Sequence, residues 1–280
     1  MKKSKKHTSR EVGLEIGSIC GRYFLKLPHL HYGYWTSDLE VDITNLHIAQ
    51  ENYVKFLISH IPDEVKTILD VGCGTGEVAK KLFNIGHQVD CVSPSSFLAG
   101  KTRELLGERS NIFECRYEEL ETEKRYDLVL FCESFQYIKL ERALENTTRF
   151  LNSDGYMLIC DVFRKDVEGK SSQGGGHKLG KFHDLTRKYH FELIEDLDIT
   201  EQTAPTVDIL DDAVKKVGEP VLQSGIRFLS ERYPVAFKFL MWKYRKRLKK
   251  IREKYLEGAR TAADFKEYKS YRLFLYRKIL

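Results

Sequence analysis

Short apolar segments alternate with helical patterns through the middle of this 280-residue chain, and no other feature constrains its fold as strongly. The strand-like segments are TILDVG (67–72), HQVDCVS (87–93), NIFECR (111–116), YDLVLFCE (126–133) and GYMLICDVF (155–163). Helical patterns at 77–86, 95–106 and 140–151 separate most of them. Strands that are apolar along most of their length are covered on both faces, and their alternation with helices indicates a parallel sheet. We therefore predict an α/β fold with a mostly parallel sheet and helices on both faces.

The remaining segments divide the chain into four parts. Residues 1–48 form a basic and then aromatic N-terminal arm, and residues 49–203 form the core. Residues 204–264 are mostly helical in pattern, from about 205 to 262, and residues 265–280 contain the closing strand SYRLFLYRKIL. Within the core, the Gly/Ser-rich stretch 168–180 predicts an irregular, mobile loop, followed by a helix at 182–190 and a strand at 191–200.

The stretch ILDVGCGTGEVA (68–79) carries the strongest local motif. A strand leads into Gly72, Gly74 and Gly76, and a helical pattern begins immediately after them. Glycines there permit positive φ and let a ligand lie against bare backbone, while the helix N-terminus offers N–H donors. The spacing is G-x-G-x-G with Asp70 two residues upstream, whereas a dinucleotide-binding loop has G-x-G-x-x-G. The motif therefore indicates a ligand loop of a different type.

This loop resembles motif I of the class I S-adenosylmethionine (SAM)-dependent methyltransferases, and the resemblance runs from about residue 50 to 200 and includes the last strand. It implies a Rossmann-like sheet of seven strands whose last strand is antiparallel. It also implies SAM as the cofactor, with the loop holding its amino-acid end. The residues that we expect at the cofactor are Tyr34, Asp70, Gly72, Cys73, Gly74, Gly76, Ser93, Arg116, Tyr117 and Glu133.

Two positions depart from the pattern of this family. Ser93 occupies the place of the acid that often ends the second strand and binds the ribose hydroxyls, and Asp90 lies too early in the strand to replace it. A serine lacks the charge-assisted bidentate contact of a carboxylate. Arg116 replaces the acid that often meets the adenine, although Arg116 or Tyr117 could stack on that ring. These departures leave open that the chain binds SAM without turning it over.

Three segments resemble one branch of the family, which contains tocopherol methyltransferases, sterol methyltransferases and cyclopropane fatty-acid synthases. They are LHYGYW (30–35), VSPSSFLAGKTREL (92–105) and CESFQYI (132–138). In that branch the aromatic leader folds over the cofactor, which implies that Tyr32, Tyr34 and Trp35 form a lid and that Gly33 allows a sharp bend or a close approach. The alternative is that these rings pin the N-terminal arm to the core.

Glu133 is the best candidate for a catalytic group, because it lies at the carboxyl end of a strand beside the expected cofactor crevice. It could remove a proton from the acceptor or stabilise a carbocation, or it could merely cap a turn or contact the cofactor. His31 and Tyr137 are further catalytic candidates, whereas we expect His177 to be solvated in the glycine-rich loop.

The segment 234–256 places apolar residues at helical spacing opposite a strongly basic face. One interpretation is a cap helix over the substrate with a solvated charged side. A second is peripheral contact with an anionic membrane through 238–254, which suits a lipid acceptor. Nucleic acid is a third possible partner, which we do not favour, because no RNA-binding module accompanies the core.

Composition limits the cellular setting. The net charge is +5, the N-terminus is basic without a following apolar region, and no apolar run is as long as a membrane span. The six cysteines form no C-x-x-C pair, and four lie in apolar strands, so we expect no disulfides and no metal site. We predict a cytoplasmic methyltransferase, with possible peripheral membrane contact, that acts on a small hydrophobic, lipid- or isoprenoid-like acceptor, with C-methylation favoured over O- or N-methylation. The alternatives are a methyltransferase for polar metabolites, an RNA methyltransferase and a non-catalytic SAM-binding protein.

Overall fold

The computed structural model describes residues 9–169, 171, 173–255 and 260–279. The helices are α1 (Ser9–Leu25), α2 (Leu46–Ile58), α3 (Glu77–Asn84), α4 (Ser96–Leu106), α5 (Leu140–Phe150), α6 (Leu179–Lys188), α7 (Thr200–Thr203), α8 (Pro205–Ala213), α9 (Glu219–Arg232), α10 (Pro234–Tyr255) and α11 (Ala262–Tyr268). The strands are β1 (Thr67–Val71), β2 (Gln88–Val92), β3 (Ile112–Phe113), β4 (Tyr126–Cys132), β5 (Leu151–Arg164), β6 (His177–Lys178), β7 (Phe191–Asp198) and β8 (Lys269–Lys278).

The strands form one sheet in the order β3-β2-β1-β4-β5-β8-β7, with β6 paired to β5. The pairs from β3 to β5 are parallel, while β8 runs antiparallel to both β5 and β7. The predicted α/β fold with a mostly parallel sheet and an antiparallel last strand is therefore confirmed. The short strand β6 adds to the seven predicted strands.

Successive residues of the central strands pack into two separate apolar layers, as expected of a sheet covered on both faces. Ile68, Leu128 and Leu130 pack into one layer, whereas Leu69 and Phe131 pack into the other. This arrangement fixes the register, because a shift by one residue would exchange the two faces. The carboxyl ends of β1, β2, β4 and β5 consequently meet at one edge of the sheet.

Helix α1 is absent from the sequence-based prediction, and its exposure explains why. Five of its large apolar residues, Val12, Ile16, Ile19, Tyr23 and Phe24, are exposed, so the segment lacks the buried stripe that makes a helix recognisable. An ion pair of 3.0 Å between Arg22 and Glu77, at the start of α3, ties it to the core.

Two predictions after β5 need correction. The segment expected to be an irregular loop ends earlier than 180, because His177 and Lys178 pair with β5 and α6 begins at Leu179. His177 is half-buried, and its Nε2 lies 3.2 Å from the carbonyl oxygen of Phe135, so it is not simply solvated. A Gly/Ser-rich sequence shows no strand pattern, so the short strand β6 could not be predicted from it.

The predicted helical cap from 204 to 264 is divided into several helices, and only its first part packs closely. Val207 and Ile209 of α8 are buried, whereas no residue of α9 is buried among the described residues. A π-helical turn, Val214–Gly218, separates these two helices. No helix in the described part of the chain is both long and apolar enough to cross a membrane.

Candidate active site

Backbone hydrogen bonds hold the ends of the central strands together at the carboxyl edge of the sheet. The N–H of Gly72 donates to the carbonyl oxygen of Val92 at 2.8 Å, which joins the ends of β1 and β2. The N–H of Glu133 donates to the carbonyl oxygen of Cys160 at 3.0 Å, which joins the end of β4 to β5. The Ser134 hydroxyl donates to the carbonyl oxygen of Val71. Gly72 and Glu133 are thus fixed at the same edge.

The three glycines of the loop all have positive φ, but the space around them differs. A Cβ at Gly72 would overlap the side chain of Ser134, and a Cβ at Gly76 would lie 2.8 Å from a methyl group of Thr102. Gly74 has a φ of +58°, and no described atom outside its immediate neighbours lies within 4 Å of the position of its Cβ. Packing therefore requires Gly72 and Gly76, whereas Gly74 faces open space in which a ligand can approach the backbone.

Asp70 lies in the interior of the sheet, two residues before the loop. It is almost fully buried, and burial raises the pKa of its carboxyl group to about 7. Among the described residues, no donor reaches its Oδ2 atom. A buried acceptor without a partner is costly, so a cationic or N–H donor on a bound molecule would be stabilising there. Cys73, in the loop, is buried as well and lies 3.7 Å from the hydroxyl of Thr102.

The four residues considered for the ribose and adenine contacts have different surroundings in the structure. Ser93 is buried at the end of β2, where its hydroxyl lies 3.5 Å from the carbonyl oxygen of Ser95. Asp90 is engaged inside the sheet by Lys124, and also by Tyr126 and Asn111, as expected from its mid-strand position. Arg116 is exposed just before a short 3₁₀ turn, Tyr117–Glu119.

Tyr117 is not available for the stacking contact that the sequence predicts. Its side chain is only 2% exposed and packs between Phe131 and Phe150 in the apolar layer under the sheet. Its hydroxyl lies 3.0 Å from that of Thr147 on α5. The prediction for Tyr117 is therefore wrong in its geometry, because the turn after β3 directs this ring into the core.

The leader, residues 26–35, crosses the carboxyl edge of the sheet and contacts both the glycine loop and Glu133. The Thr75 hydroxyl donates to the carbonyl oxygen of Pro28 at 3.2 Å. The backbone N–H of Tyr32 donates to Oε1 of Glu133 at 2.6 Å. Between these points, the Gln50 amide on α2 donates to the carbonyl oxygen of His31 at 2.7 Å. Residues 28–32 thus cover the edge at which the loop and Glu133 lie.

The aromatic rings of the leader divide between two positions. Trp35 is 5% exposed, packs with Leu46 and Ile209, and donates from Nε1 to the Thr206 hydroxyl at 2.9 Å. Tyr34 stacks on Phe56 of α2 with a centroid distance of 4.8 Å. These two rings therefore pin the leader to α2 and α8, while Tyr32 stays near Glu133.

Gly33 lies at the point where the leader meets α2. A Cβ there would lie 2.5 Å from the Cβ of Ala49, so the close approach predicted for Gly33 is confirmed.

Glu133 occupies a strained and largely apolar position directly after β4. Its φ is +53°, a left-handed conformation that is uncommon for residues other than glycine and that is concentrated at functional sites. Its Oε1 accepts a second hydrogen bond, from the Tyr271 hydroxyl, at 2.6 Å. Burial raises the pKa of the carboxyl group to about 8, although the hydrogen bonds from Tyr271 and Tyr32 favour the charged form. Glu133 is therefore poised to gain or lose a proton near neutral pH.

Sequence reasoning missed two tyrosines that connect Glu133 to the rest of the molecule. The Tyr271 hydroxyl, on β8, lies 3.0 Å from the hydroxyl of Tyr53 on α2. The Tyr53 hydroxyl lies 3.2 Å from the carbonyl oxygen of Cys160 on β5, to which it donates. Both rings are fully buried. Their separation of 218 residues in sequence leaves no local signal from which this network could be found.

The structure makes His31 a weaker candidate than Glu133. Its ring stacks on Tyr53 at a centroid distance of 4.4 Å, and its Nδ1 lies 2.7 Å from the carbonyl oxygen of Tyr32. Since a carbonyl only accepts, Nδ1 carries the hydrogen and Nε2 the lone pair. Burial, together with His29, lowers the pKa of His31 to about 3, so it is a weak base. Tyr137 is exposed in the 3₁₀ turn that follows β4.

A cavity of about 530 Å³ opens beside the carboxyl end of β5. Gly175, in its wall, lies against the Gln136 side chain, three residues after Glu133. The wall also contains the buried Lys269, whose ammonium group donates to the carbonyl oxygen of Gly175 at 2.7 Å. Its volume lies within the range of about 300–1,000 Å³ that is typical of ligand pockets. Most residues of its wall are polar, however, and they include Arg164, Lys165, Asp166, Glu168 and Lys178.

The sequence is similar to those of known methyltransferases. Residues 69–159 match a family described as a methyltransferase domain. A ubiquinone biosynthesis O-methyltransferase of Rickettsia felis is 27% identical over 158 residues, which cover 53% of this chain and 64% of that protein. The chain thus spans somewhat less than two thirds of the length of this relative.

Two solved structures share the fold over almost the whole chain. A geranyl diphosphate C-methyltransferase from Streptomyces coelicolor A3(2), in complex with Mg²⁺, geranyl diphosphate and S-adenosyl-L-homocysteine, gives a TM-score of 0.65 at 16% identity over 97% of this chain and 98% of its own. A cyclopropane synthase from Mycobacterium tuberculosis gives 0.67 at 14% identity over 98% and 100%. At these identities the likeness concerns the fold.

Proposed function

Because the chain carries a class I SAM-dependent methyltransferase domain, we propose that it transfers a methyl group from SAM to a small hydrophobic acceptor. The observation that carries this proposal is the position of the leader, which contacts the glycine loop through Pro28 and Glu133 through Tyr32. A cofactor on the loop and an acceptor beside Glu133 would both lie under the same strap of chain. Methyl transfer requires that proximity and the exclusion of water.

The residues of the loop fit SAM as the cofactor. Gly74 leaves open space against the backbone, and Asp70 offers a buried acceptor with no donor among the described residues. An amino-acid end supplies an ammonium group that suits this acceptor. When bound, SAM supplies an electrophilic methyl carbon. Ser93 would contact the ribose through a hydroxyl, and exposed Arg116 is left as the residue that could stack on the adenine.

In this proposal the ionised carboxylate of Glu133 accepts the proton that the acceptor must lose. Its raised pKa keeps most of the carboxyl groups protonated at neutral pH, and the ionised form is a stronger base than an ordinary glutamate. Tyr271 holds one carboxyl oxygen through its hydroxyl and so orients the group. The same carboxylate could stabilise positive charge on an alkene acceptor, which is why we favour C-methylation over O- or N-methylation.

Two observations support a hydrophobic acceptor. The surroundings of Glu133 are aromatic, since Tyr32 packs against Phe265 and Tyr271. The similar proteins include one named for ubiquinone biosynthesis and one named for the methylation of geranyl diphosphate.

The test uses purified protein, methyl-tritiated SAM and an extract of the source cells. After the reaction, the mixture is separated into organic, aqueous and macromolecular fractions, and Gly74→Arg serves as the control that blocks the loop. We expect label in the organic fraction with the wild-type protein and background label with the control.

Other outcomes would contradict specific parts of the proposal. Label in the aqueous fraction would replace the hydrophobic acceptor with a polar metabolite, and label in RNA or protein would exclude a small acceptor. Background label in every fraction, together with tight SAM binding by calorimetry, would favour a SAM-binding protein without turnover. The absence of SAM binding would reject the cofactor assignment.

A further inference from the structure

Helices α9 and α10 expose an unusual amount of apolar surface, and we refer to residues 219–249 as the helical arm. Val235 is 82% exposed, Trp242 64% and Phe228 63%. The other large apolar residues exposed on the arm are Val221, Leu222, Ile226, Leu229, Tyr233, Phe239, Leu240, Met241, Tyr244 and Leu248. A monomeric protein rarely exposes a contiguous apolar patch larger than a few hundred Å², so a surface of this kind marks an interaction site.

The arm is also strongly cationic. Helix α10 contains nine Lys and Arg residues but a single acid, Glu253. In the described part of the chain, no carboxylate lies within ion-pair distance of Lys238, Lys243 or Lys246. Within the described residues these charges are therefore not neutralised by carboxylates, and they attract an anionic partner.

We propose that the helical arm docks on an anionic lipid surface. At helical spacing, Phe239 and Trp242 share a face of α10 with Lys243 and Lys246, so apolar rings and cations project together. The Lys243 ammonium lies 5.9 Å from the Phe239 ring centroid. Aromatic rings that enter the headgroup region beside lysines that pair with lipid phosphates are the usual chemistry of interfacial helices.

Charge distinguishes this partner from a second copy of the chain. Two α10 helices that packed face to face would bring two excesses of eight positive charges together, which costs free energy. A nucleic acid would satisfy the lysines but would leave Leu222, Ile226 and Leu229 of α9 in water. An anionic bilayer surface satisfies both the cations and the apolar residues.

The experiment measures binding of the whole protein to vesicles without SAM or acceptor, so it is independent of methyl transfer. The vesicles consist of phosphatidylcholine alone or of phosphatidylcholine with phosphatidylglycerol at 3:1. Tryptophan fluorescence is measured in a Trp35→Phe variant, in which Trp242 is the remaining tryptophan. We expect a blue shift of Trp242 emission and co-sedimentation with the anionic vesicles, both weakened by high salt.

Two surface variants locate the contact. Lys243→Gln combined with Lys246→Gln is expected to weaken binding roughly thirty-fold, since each lysine near an anionic surface contributes about 1 kcal/mol. Phe239→Ser combined with Trp242→Ser is expected to abolish co-sedimentation. Tyr23→Ser combined with Phe24→Ser removes a similarly exposed aromatic pair from α1 and should leave binding unchanged. All these side chains are exposed, so the fold should persist, as circular dichroism would verify.

Several results would overturn the proposal. Equal binding to neutral and anionic vesicles, or no binding to either, would reject an anionic lipid surface. A concentration-dependent dimer that is lost in the Phe239→Ser, Trp242→Ser variant would assign the arm to a second copy. Salt-dependent binding of RNA, with no shift of Trp242 emission on vesicles, would assign it to nucleic acid.

Discussion

Gly74 differs from Gly72 and Gly76 because no described atom outside its immediate neighbours lies within 4 Å of the position of its Cβ. We predict that Gly74→Ala weakens SAM binding at least ten-fold, because the methyl group enters the space left for the ligand. The cost to the fold is about 1–2 kcal/mol, the penalty of a left-handed conformation for an L-residue. Isothermal titration calorimetry measures the affinity, and urea unfolding measures the stability.

Gly72→Ala is the matched control for this prediction. Its φ is also positive, but its Cβ would overlap the side chain of Ser134, so the fold should lose about 1–3 kcal/mol more than in Gly74→Ala. Wild-type affinity for SAM in Gly74→Ala would show that the cofactor does not lie against this part of the loop.

Glu133 should control the pH dependence of turnover. Since the ionised carboxylate acts as the base and its pKa is about 8, kcat should rise with pH up to about 8 and then level off. Glu133→Gln should lower kcat by at least about 100-fold at pH 9 and remove this dependence, with little change in SAM affinity. Equal losses in turnover and in SAM affinity would indicate a residue that only binds the cofactor.

Tyr271→Phe tests whether Tyr271 positions Glu133. The Tyr271 hydroxyl stabilises the charged carboxylate, so its removal should raise the pKa of Glu133 and move the kcat profile to higher pH by roughly one unit. A variant that is merely less stable would lose activity at all pH values alike. Tyr23→Phe, at an exposed tyrosine of α1, provides the comparison.

At the scale of elements, the leader covers the carboxyl edge of the sheet, and the buried ring of Trp35 holds it against α2 and α8. Trp35→Ala should destabilise the protein by about 3–5 kcal/mol, the usual cost of removing a large buried ring. Trp35→Phe keeps most of the apolar contact but loses the hydrogen bond to Thr206, so it should cost only about 1 kcal/mol. Urea unfolding distinguishes the two, and a cost below 1 kcal/mol for Trp35→Ala would show that the leader is not held by this ring.

The sequence predicts those elements whose neighbours in space are also neighbours in the chain. The strand, glycine loop and helix from β1 to α3 lie within one continuous motif, and the position of Glu133 follows from the end of β4. Tyr271 reaches Glu133 only because β8 inserts antiparallel beside β5, a pairing between segments over a hundred residues apart. The periodicity of either segment predicts a strand but does not predict that the two strands pair.

Elements without a buried face were predicted less well. Helix α1 has exposed apolar residues, and the π-helical turn at 214–218 interrupts what reads as one helical region. The prediction for Tyr117 fails for the opposite reason. An aromatic residue after a strand can face either the ligand or the core, and the local sequence looks the same in both cases. In each case the missing information is which surface covers the residue.

For the whole molecule, the buried titratable groups at the sheet predict how stability depends on pH. Burial lowers the pKa values of His29 and His31 to about 3, so the unfolded chain binds more protons there and stability rises with pH up to about 6.5. Burial raises the pKa values of Asp70 and Asp161 to about 7 and that of Glu133 to about 8. These carboxyls act in the opposite direction, because the folded state then binds more protons than the unfolded chain.

Between pH 6.5 and 8 the three carboxyls outweigh the two histidines, which are losing their last protons in the unfolded chain, so the free energy of unfolding should fall. From pH 7 to 8 Glu133 dominates and contributes about 1 kcal/mol, since one pKa unit corresponds to about 1.4 kcal/mol. Urea unfolding at half-unit steps of pH would measure this decline. Glu133→Gln, which cannot ionise, should make the decline shallower throughout this range, because the Glu133 carboxyl binds a proton in the folded state up to about pH 8. The decline that remains in the variant belongs to Asp70 and Asp161 and should fade above pH 7. An unchanged slope above pH 7 in that variant would mean that Glu133 is already ionised in the folded protein, and its use as a base with a pKa near 8 would fail with it.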